Sequence, residues 1–316
     1  MFQVVCKYLE DPVLFSREEV GLVKFDIRYM LMLRSVQPLH FCDCLRMYKH
    51  NAAEIFGLLQ VKLSLRGTSV PPSLQVLITL RFLACGTFHR ETADFCGVSE
   101  STVCKIVHKV CKAVCELRKD SIKFPDAVDQ TTYKVQFYEY GNIPGVVGCI
   151  DGCHIPVKYI ELYRNLKNRF SVNVPGVCTP SMQLSNIVAH WSCSTRDSRI
   201  FQNSSLCAQF EAGQHSGILL GDSGDAQTNF LFTSYFHPVR PEQQRYNQAH
   251  IHIRGLVKRM FGIWKNRFHC LRNTLRFEPR RCCIVTVATA VLHNYLRQHV
   301  TIVSDRKEEF PLSSRM

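Results

Sequence analysis

Four short apolar runs in the second half of the chain are each bounded by turn residues, and this spacing most limits the fold. They are GVVGCI (145–150), FSVNV (170–174), SNIVAHW (185–191) and SGILLGD (216–222). Runs of this length, rich in Val and Ile, read as strands. Helical periodicity then returns over 244–268 and 280–298. Strands followed by packed helices predict a mixed α/β domain over about 140–300. The segment before it has a different pattern. Residues 1–70 read as short helices with loops, closed by Pro71-Pro72. Residues 71–120 read as helical, and 301–316 as a short charged tail.

Three aspartates stand at the boundaries of the strand-like runs. Asp151 follows VVGCI, Asp222 follows GILLG, and Asp197 lies in STRDSR, just after the run that ends at Trp191. A lone Asp at such a place is usually a turn or cap residue. Three at strand ends together suggest a site. Phosphodiester cleavage with Mg²⁺ or Mn²⁺ needs hard oxygen ligands from several elements, and Asp151, Asp197 and Asp222 are the candidate catalytic and metal-binding set.

Charge points to a polyanionic partner. The chain has 39 Lys and Arg against 26 Asp and Glu, a net charge of +13. Nucleic acid is the first candidate, and an ordinary basic protein the alternative. TADFCGVSESTV carries the elements of a helix-turn-helix. Ala93 is small enough for close helix crossing, and Gly97 can take the positive φ that ends a helix. Val98 can plug the crossing, and Ser99 can cap the next helix. That second helix bears Lys105, Lys109 and Lys112 on a basic face. The face is either a DNA contact or an ordinary solvated surface. With Arg254, Arg259 and Lys265 further on, these are the candidate DNA-binding residues.

Other classes are disfavoured. No apolar run is long enough to span a bilayer, the longest being IVTVATAVL (284–292), so no membrane association is expected. The first residues meet charge too early for a secretory signal. The chain has 16 Cys without a C-x-x-C pair, which argues against a zinc finger and for buried free thiols.

An ordered set of segments then resembles one family: PGVVGCIDGCHIPVK, STRDSRIFQNSSL, LLGDSG, RYNQAH, VKRMFGIWKNRFHCL and AVLHN. They resemble the Harbinger (PIF) transposases, and most of all the nuclease that vertebrates have domesticated from them. The resemblance is close over about 145–296 and looser through the helix-turn-helix. It implies a ribonuclease-H-like DDE nuclease domain with a divalent metal cation (Mg²⁺ or Mn²⁺) and an N-terminal all-α helix-turn-helix region. It also implies action in the nucleus, with the cytoplasm as a second compartment, and a Myb-like DNA-binding protein as partner.

Asp151 matches the Asp of the family's I-D-G-T-H, with Cys153 for Thr. Asp197 matches that of H-D-S-R, with Arg196 for His. Asp222 matches that of L-L-G-D-S-G-Y, with Asp225 for Tyr. Which of Asp197 and Asp222 is the second catalytic acid stays open. The family's glutamate in V-V-E-R-x-F-G is replaced by Lys258, and no Asp or Glu occurs between Glu242 and Glu278 to substitute. A lysine ammonium cannot ligate a metal. At about 4 Å, one unit-charge pair is worth about 1 kcal/mol in water and about 4 kcal/mol at intermediate dielectric. The expectation is therefore an impaired nuclease, or a catalytically inactive DNA- or protein-binding descendant.

Overall fold

The computed structural model describes residues 42, 44–64, 70–158, 170–189, 191–192 and 197–300. The expectations for 1–41 and for the tail 301–316 lie outside the described residues.

The helical part comes first. Helix α1 spans Lys49–Ser64 and α2 spans Pro72–Cys85, with Pro71 and Pro72 at the entry of α2, where a missing N–H costs nothing. Gly86 then takes φ +64, and a Cβ there would sit 2.7 Å from the backbone nitrogen of Cys270. The chain can turn and pack at this point only because the residue is glycine. Helix α3 (His89–Cys96) ends at Gly97 with φ +66, and α4 (Glu100–Cys115) starts at once. The Ser99 side chain accepts a hydrogen bond from the Thr102 N–H at 3.2 Å. Replacing Ser99 with Ala should cost about 1 kcal/mol, read as a small drop in urea stability. Val103, Ile106, Val107 and Val110 are buried on one face of α4, which packs on α2 and on the last helix of the domain.

Short α5 (Arg118–Ser121) and α6 (Ala127–Gly141, capped by Asp126) lead into the sheet. Strand β1 (Val146–Pro156) is longer than the run 145–150 suggests. It continues because residues 149–156 pair antiparallel with β2 (Ser171–Cys178), which supplies the backbone partners. Next come β3 (Leu184–Ile187), β4 (Trp191–Ser192), α7 (Asp197–Gln202), α8 (Ser205–Glu211), β5 (Ile218–Leu220) and β6 (Leu231–Phe232). The sheet order is β3-β2-β1-β5-β6, with β4 also on β2. Strands β1, β5 and β6 run parallel, while β2 runs antiparallel to its neighbours β1 and β3. The long α9 (Pro241–Arg267), a 3-10 turn (His269–Leu271) and α10 (Pro279–Val300) complete the domain.

Helix α9 packs on β1 and β2, and α10 on α4. The core between them includes Ile155, Leu256, Met260, Trp264 and Phe268. The cysteines are free thiols among the described residues. Cys149 and Cys178 face each other as register partners of β1 and β2. Burial pushes the Cys149 thiol up to about 12, so it is unreactive at neutral pH. Among the described residues, no helix is long and apolar enough to cross a membrane.

Candidate functional site

Parallel pairing of β1 and β5 brings two of the three aspartates together. Cys149 and Leu220 are register partners, and Asp151 and Asp222 each lie two residues further on. Both carboxylates therefore lie side by side, just past the point where the parallel pairing of β1 and β5 stops. Asp151 sits inside β1, not beyond it, and its Oδ1 accepts a hydrogen bond from the Gly152 N–H at 3.0 Å. Asp222 opens a tight turn. Its N–H donates to Asp225 Oδ2 at 2.8 Å, and the Asp225 N–H donates back to the Asp222 carbonyl at 3.0 Å. Asp225 is thus spent on shaping the turn. Asp197 is the first residue of α7, which packs on β2. Its side chain lies outside the described residues.

Between the two acids stands Arg254 of α9. Its Nη1 is 2.5 Å from Asp222 Oδ1, and its Nη2 is 3.2 Å from Asp151 Oδ1. The Arg254 side chain is 8% exposed, against 20% for Asp151 and 60% for Asp222. Three contacts to the sheet edge set the helix in place. The Tyr246 hydroxyl donates to the Thr233 carbonyl at 3.1 Å. Asn247 pairs with both backbone groups of Tyr235. His250 Nε2 lies 3.3 Å from the Phe232 carbonyl. One turn past His250, the guanidinium meets both acids. Sequence reasoning placed Arg254 among the DNA contacts. In the structure it is buried and taken up by the acid pair. Its position one helical turn before Lys258, where the family's glutamate is expected, was the signal that could have placed it near the acids, though not its burial.

Lys258 is exposed, yet close enough to favour the ionised form of both acids. Burial raises the Asp151 carboxyl above its ordinary range, and the Arg254 charge only partly offsets this. Burial acts in the same direction on Asp222. There the Arg254 charge and hydrogen bond, with the Ser223 N–H, outweigh it and hold the carboxyl low.

The other basic candidates are dispersed. Lys105, Lys112 and Arg259 are exposed. Lys109 donates to the Leu63 carbonyl at 2.9 Å and ties α4 to α1. Lys265 donates to the His154 carbonyl at 2.9 Å, alongside the outer half of β1.

The family model described as DDE superfamily endonuclease matches residues 150–294, the segment that carries both acids and α9. The chain is 31% identical over 263 residues to the protein named "Putative nuclease HARBI1" in Homo sapiens. That match covers 80% of this chain and 75% of the relative. The chain belongs to the Harbinger transposase-derived nuclease family. The Bos taurus protein of the same name matches with the same identity and coverage. The DDE superfamily has a ribonuclease-H-like fold, consistent with the mixed sheet described above. A separate segment, residues 2–41, matches the tubulin-tyrosine ligase family model. It is 70% identical over 37 residues to tubulin–tyrosine ligase-like protein 12 of Homo sapiens, which is 12% of this chain and 6% of that protein. No solved structure matches the chain.

Nucleases of the DDE superfamily generally use divalent metal ions. The described side chains do not fit one. A guanidinium spans the gap between Asp151 and Asp222 where a cation would sit. Among the described residues no three His, Cys, Asp or Glu side chains converge on a common point. An ion would have to displace a buried arginine and also meet the charge of Lys258.

Proposed function

We propose that this chain is a transposase-derived, nuclease-like protein that binds DNA and has little or no cleavage activity of its own. The observation that carries this reading is the Arg254 bridge across Asp151 and Asp222, with Lys258 one turn further on the same helix. The net charge of +13 supports a DNA partner, and so do exposed Lys105, Lys112 and Arg259. Helices α3 and α4, joined at Gly97, are the proposed helix-turn-helix. Nuclear action beside a Myb-like DNA-binding protein is the corresponding setting, implied by family membership.

A second reading, an active metal-dependent nuclease, draws on the convergence of Asp151 and Asp222 just past the parallel pairing of β1 and β5. Plasmid nicking with added Mg²⁺ or Mn²⁺ separates the two. The unmodified chain is expected to nick no faster than its Asp151→Ala variant, while its DNA binding weakens as salt rises. Nicking that disappears in Asp151→Ala would establish the second reading. The Lys258→Glu variant restores the family's acid, and a gain in nicking from it locates the impairment at that position. No gain would place it at the Arg254 bridge or at the other departures from the family's motifs, such as Asp225 for Tyr.

A further inference from the structure

A cleft of about 530 Å³ lies between residues 86–91, at the entry of α3, and the 272–276 loop. Its walls include Phe88, His89, Glu91, Arg272, Asn273 and Arg276. The cleft is built by packing, because Asn273 Nδ2 donates to the Gly86 carbonyl at 2.9 Å and locks the loop to the turn. His89 stacks on Phe82 and meets Phe277 edge-on, which gives the cleft an aromatic wall. The Arg276 guanidinium lies 4.4 Å over the Phe88 ring, and Phe88 is 52% exposed. Arg272 and Arg276 are both exposed, and neither has a carboxylate partner among the described residues.

The cleft is connected to the acid pair. The Leu275 N–H donates to the Pro156 carbonyl, and the Lys158 N–H donates to the Leu275 carbonyl, so the loop runs on from the outer end of β1. Asp151 lies five residues before Pro156 on that strand, which is roughly 17 Å of extended chain. Lys265 is fixed beside the strand at His154. Accessible cationic side chains thus follow one path, from Lys258 through Lys265 and Lys158 to Arg276 and Arg272.

We propose that this cleft receives an unstacked nucleotide of a DNA single strand whose backbone follows the basic path. The inference rests on the DNA-binding reading above. Arg272 and Arg276 supply charge for the phosphate, and the Phe88–Arg276 stack supplies a platform for the base. Stacking on aromatic rings and guanidinium planes is how unpaired bases are held. Glu91 repels a phosphate and accepts hydrogen bonds, so it belongs on the base side of the cleft, where amino groups can donate to it. A cavity of this volume is in the range of small-ligand sites and takes one nucleotide. A paired base would have to leave its duplex to enter.

The test is fluorescence anisotropy of a labelled short oligodeoxynucleotide with the full chain, beside a duplex of the same sequence. Phe88→Ala is expected to weaken single-strand binding about tenfold, while Phe88→Trp retains it. Arg272→Ala is expected to reduce the salt slope by about 0.7. Thermal melts check that each variant folds. Unchanged single-strand affinity in Phe88→Ala, or an equal loss in Phe88→Trp, overturns the proposal. So does displacement of the strand by polyglutamate as effectively as by unlabelled DNA. Displacement by cytidine monophosphate at matched concentration assigns the cleft to a free nucleotide and also overturns it. If the full chain binds no DNA of any form, the DNA-binding reading fails as well. If duplex binding persists while the variants leave single-strand binding untouched, only the cleft assignment is lost.

Discussion

Replacing Arg254 with Met is expected to destabilise the protein by roughly 3 kcal/mol at neutral pH. Methionine keeps most of the aliphatic stem but removes the cation from two carboxylates. Breaking a buried pair by deleting one partner typically costs about 3–5 kcal/mol, and the 60% exposure of Asp222 places this case at the low end. The pH dependence is the sharper test. Asp222 is held below its ordinary pKa, so its contribution to stability is present above the unfolded value and is lost as pH falls through the folded value. Asp151 is held above its ordinary pKa. It favours folding below the unfolded value and opposes it as pH rises through the folded one. Without the guanidinium both carboxyls lose their main stabilising charge and move upward. The deficit of Arg254→Met should therefore narrow as pH falls from about 7 toward about 4. Urea denaturation at the two ends of that range measures it. A deficit that is constant with pH would show that the arginine contributes packing and not charge.

The second large effect is expected at Asn294, in the AVLHN segment of α10. Its Nδ2 donates to the Ser121 carbonyl at 2.8 Å and to the Leu184 carbonyl at 2.7 Å, and its Oδ1 accepts from the Leu184 N–H at 2.8 Å. The residue is buried. One side chain thus ties α10 to the end of α5 and the start of β3. Asn294→Ala leaves two buried backbone groups of Leu184 and the part-buried Ser121 carbonyl without this partner, at about 1–3 kcal/mol for each buried group. A total loss of roughly 3–5 kcal/mol is expected, since partial relaxation keeps it below the sum. Asn294→Asp should be no better, because a carboxylate would face two carbonyl oxygens. A loss under about 1 kcal/mol in Asn294→Ala would mean that water or a shift of β3 satisfies those groups.

Local periodicity in the sequence was enough to find most elements that carry the site. The 244–268 and 280–298 patterns correspond to α9 and α10, and the runs at 170–174 and 216–222 contain the starts or bodies of β2 and β5. Boundaries were less visible where tertiary pairing decides them. β1 extends through Asp151 because β2 is there to receive its hydrogen bonds, and β6 is too short to leave a pattern. Strand ends indicated Asp151 and Asp222, and parallel pairing makes them neighbours. Arg254 was read from its charge alone as one more basic residue on a basic helix. Its burial depends on where α9 crosses the sheet, which no local window reports. The cleft at Phe88 was invisible for the same reason, because its walls are far apart in the chain and meet only across Gly86.

The two-sided pairing of β1 also imposes an order on how the chain assembles. Its antiparallel half pairs with β2, the next strand in the chain, so Asp151 is framed by the more local contact. Its parallel half must wait for β5, which arrives only after all the chain between β2 and β5 has been ordered or looped out, at a larger entropic cost. Asp222 is therefore delivered late, and Arg254 later still in sequence. Docking of α9 sets the Arg254 guanidinium between the Asp151 and Asp222 carboxylates and so removes their mutual repulsion.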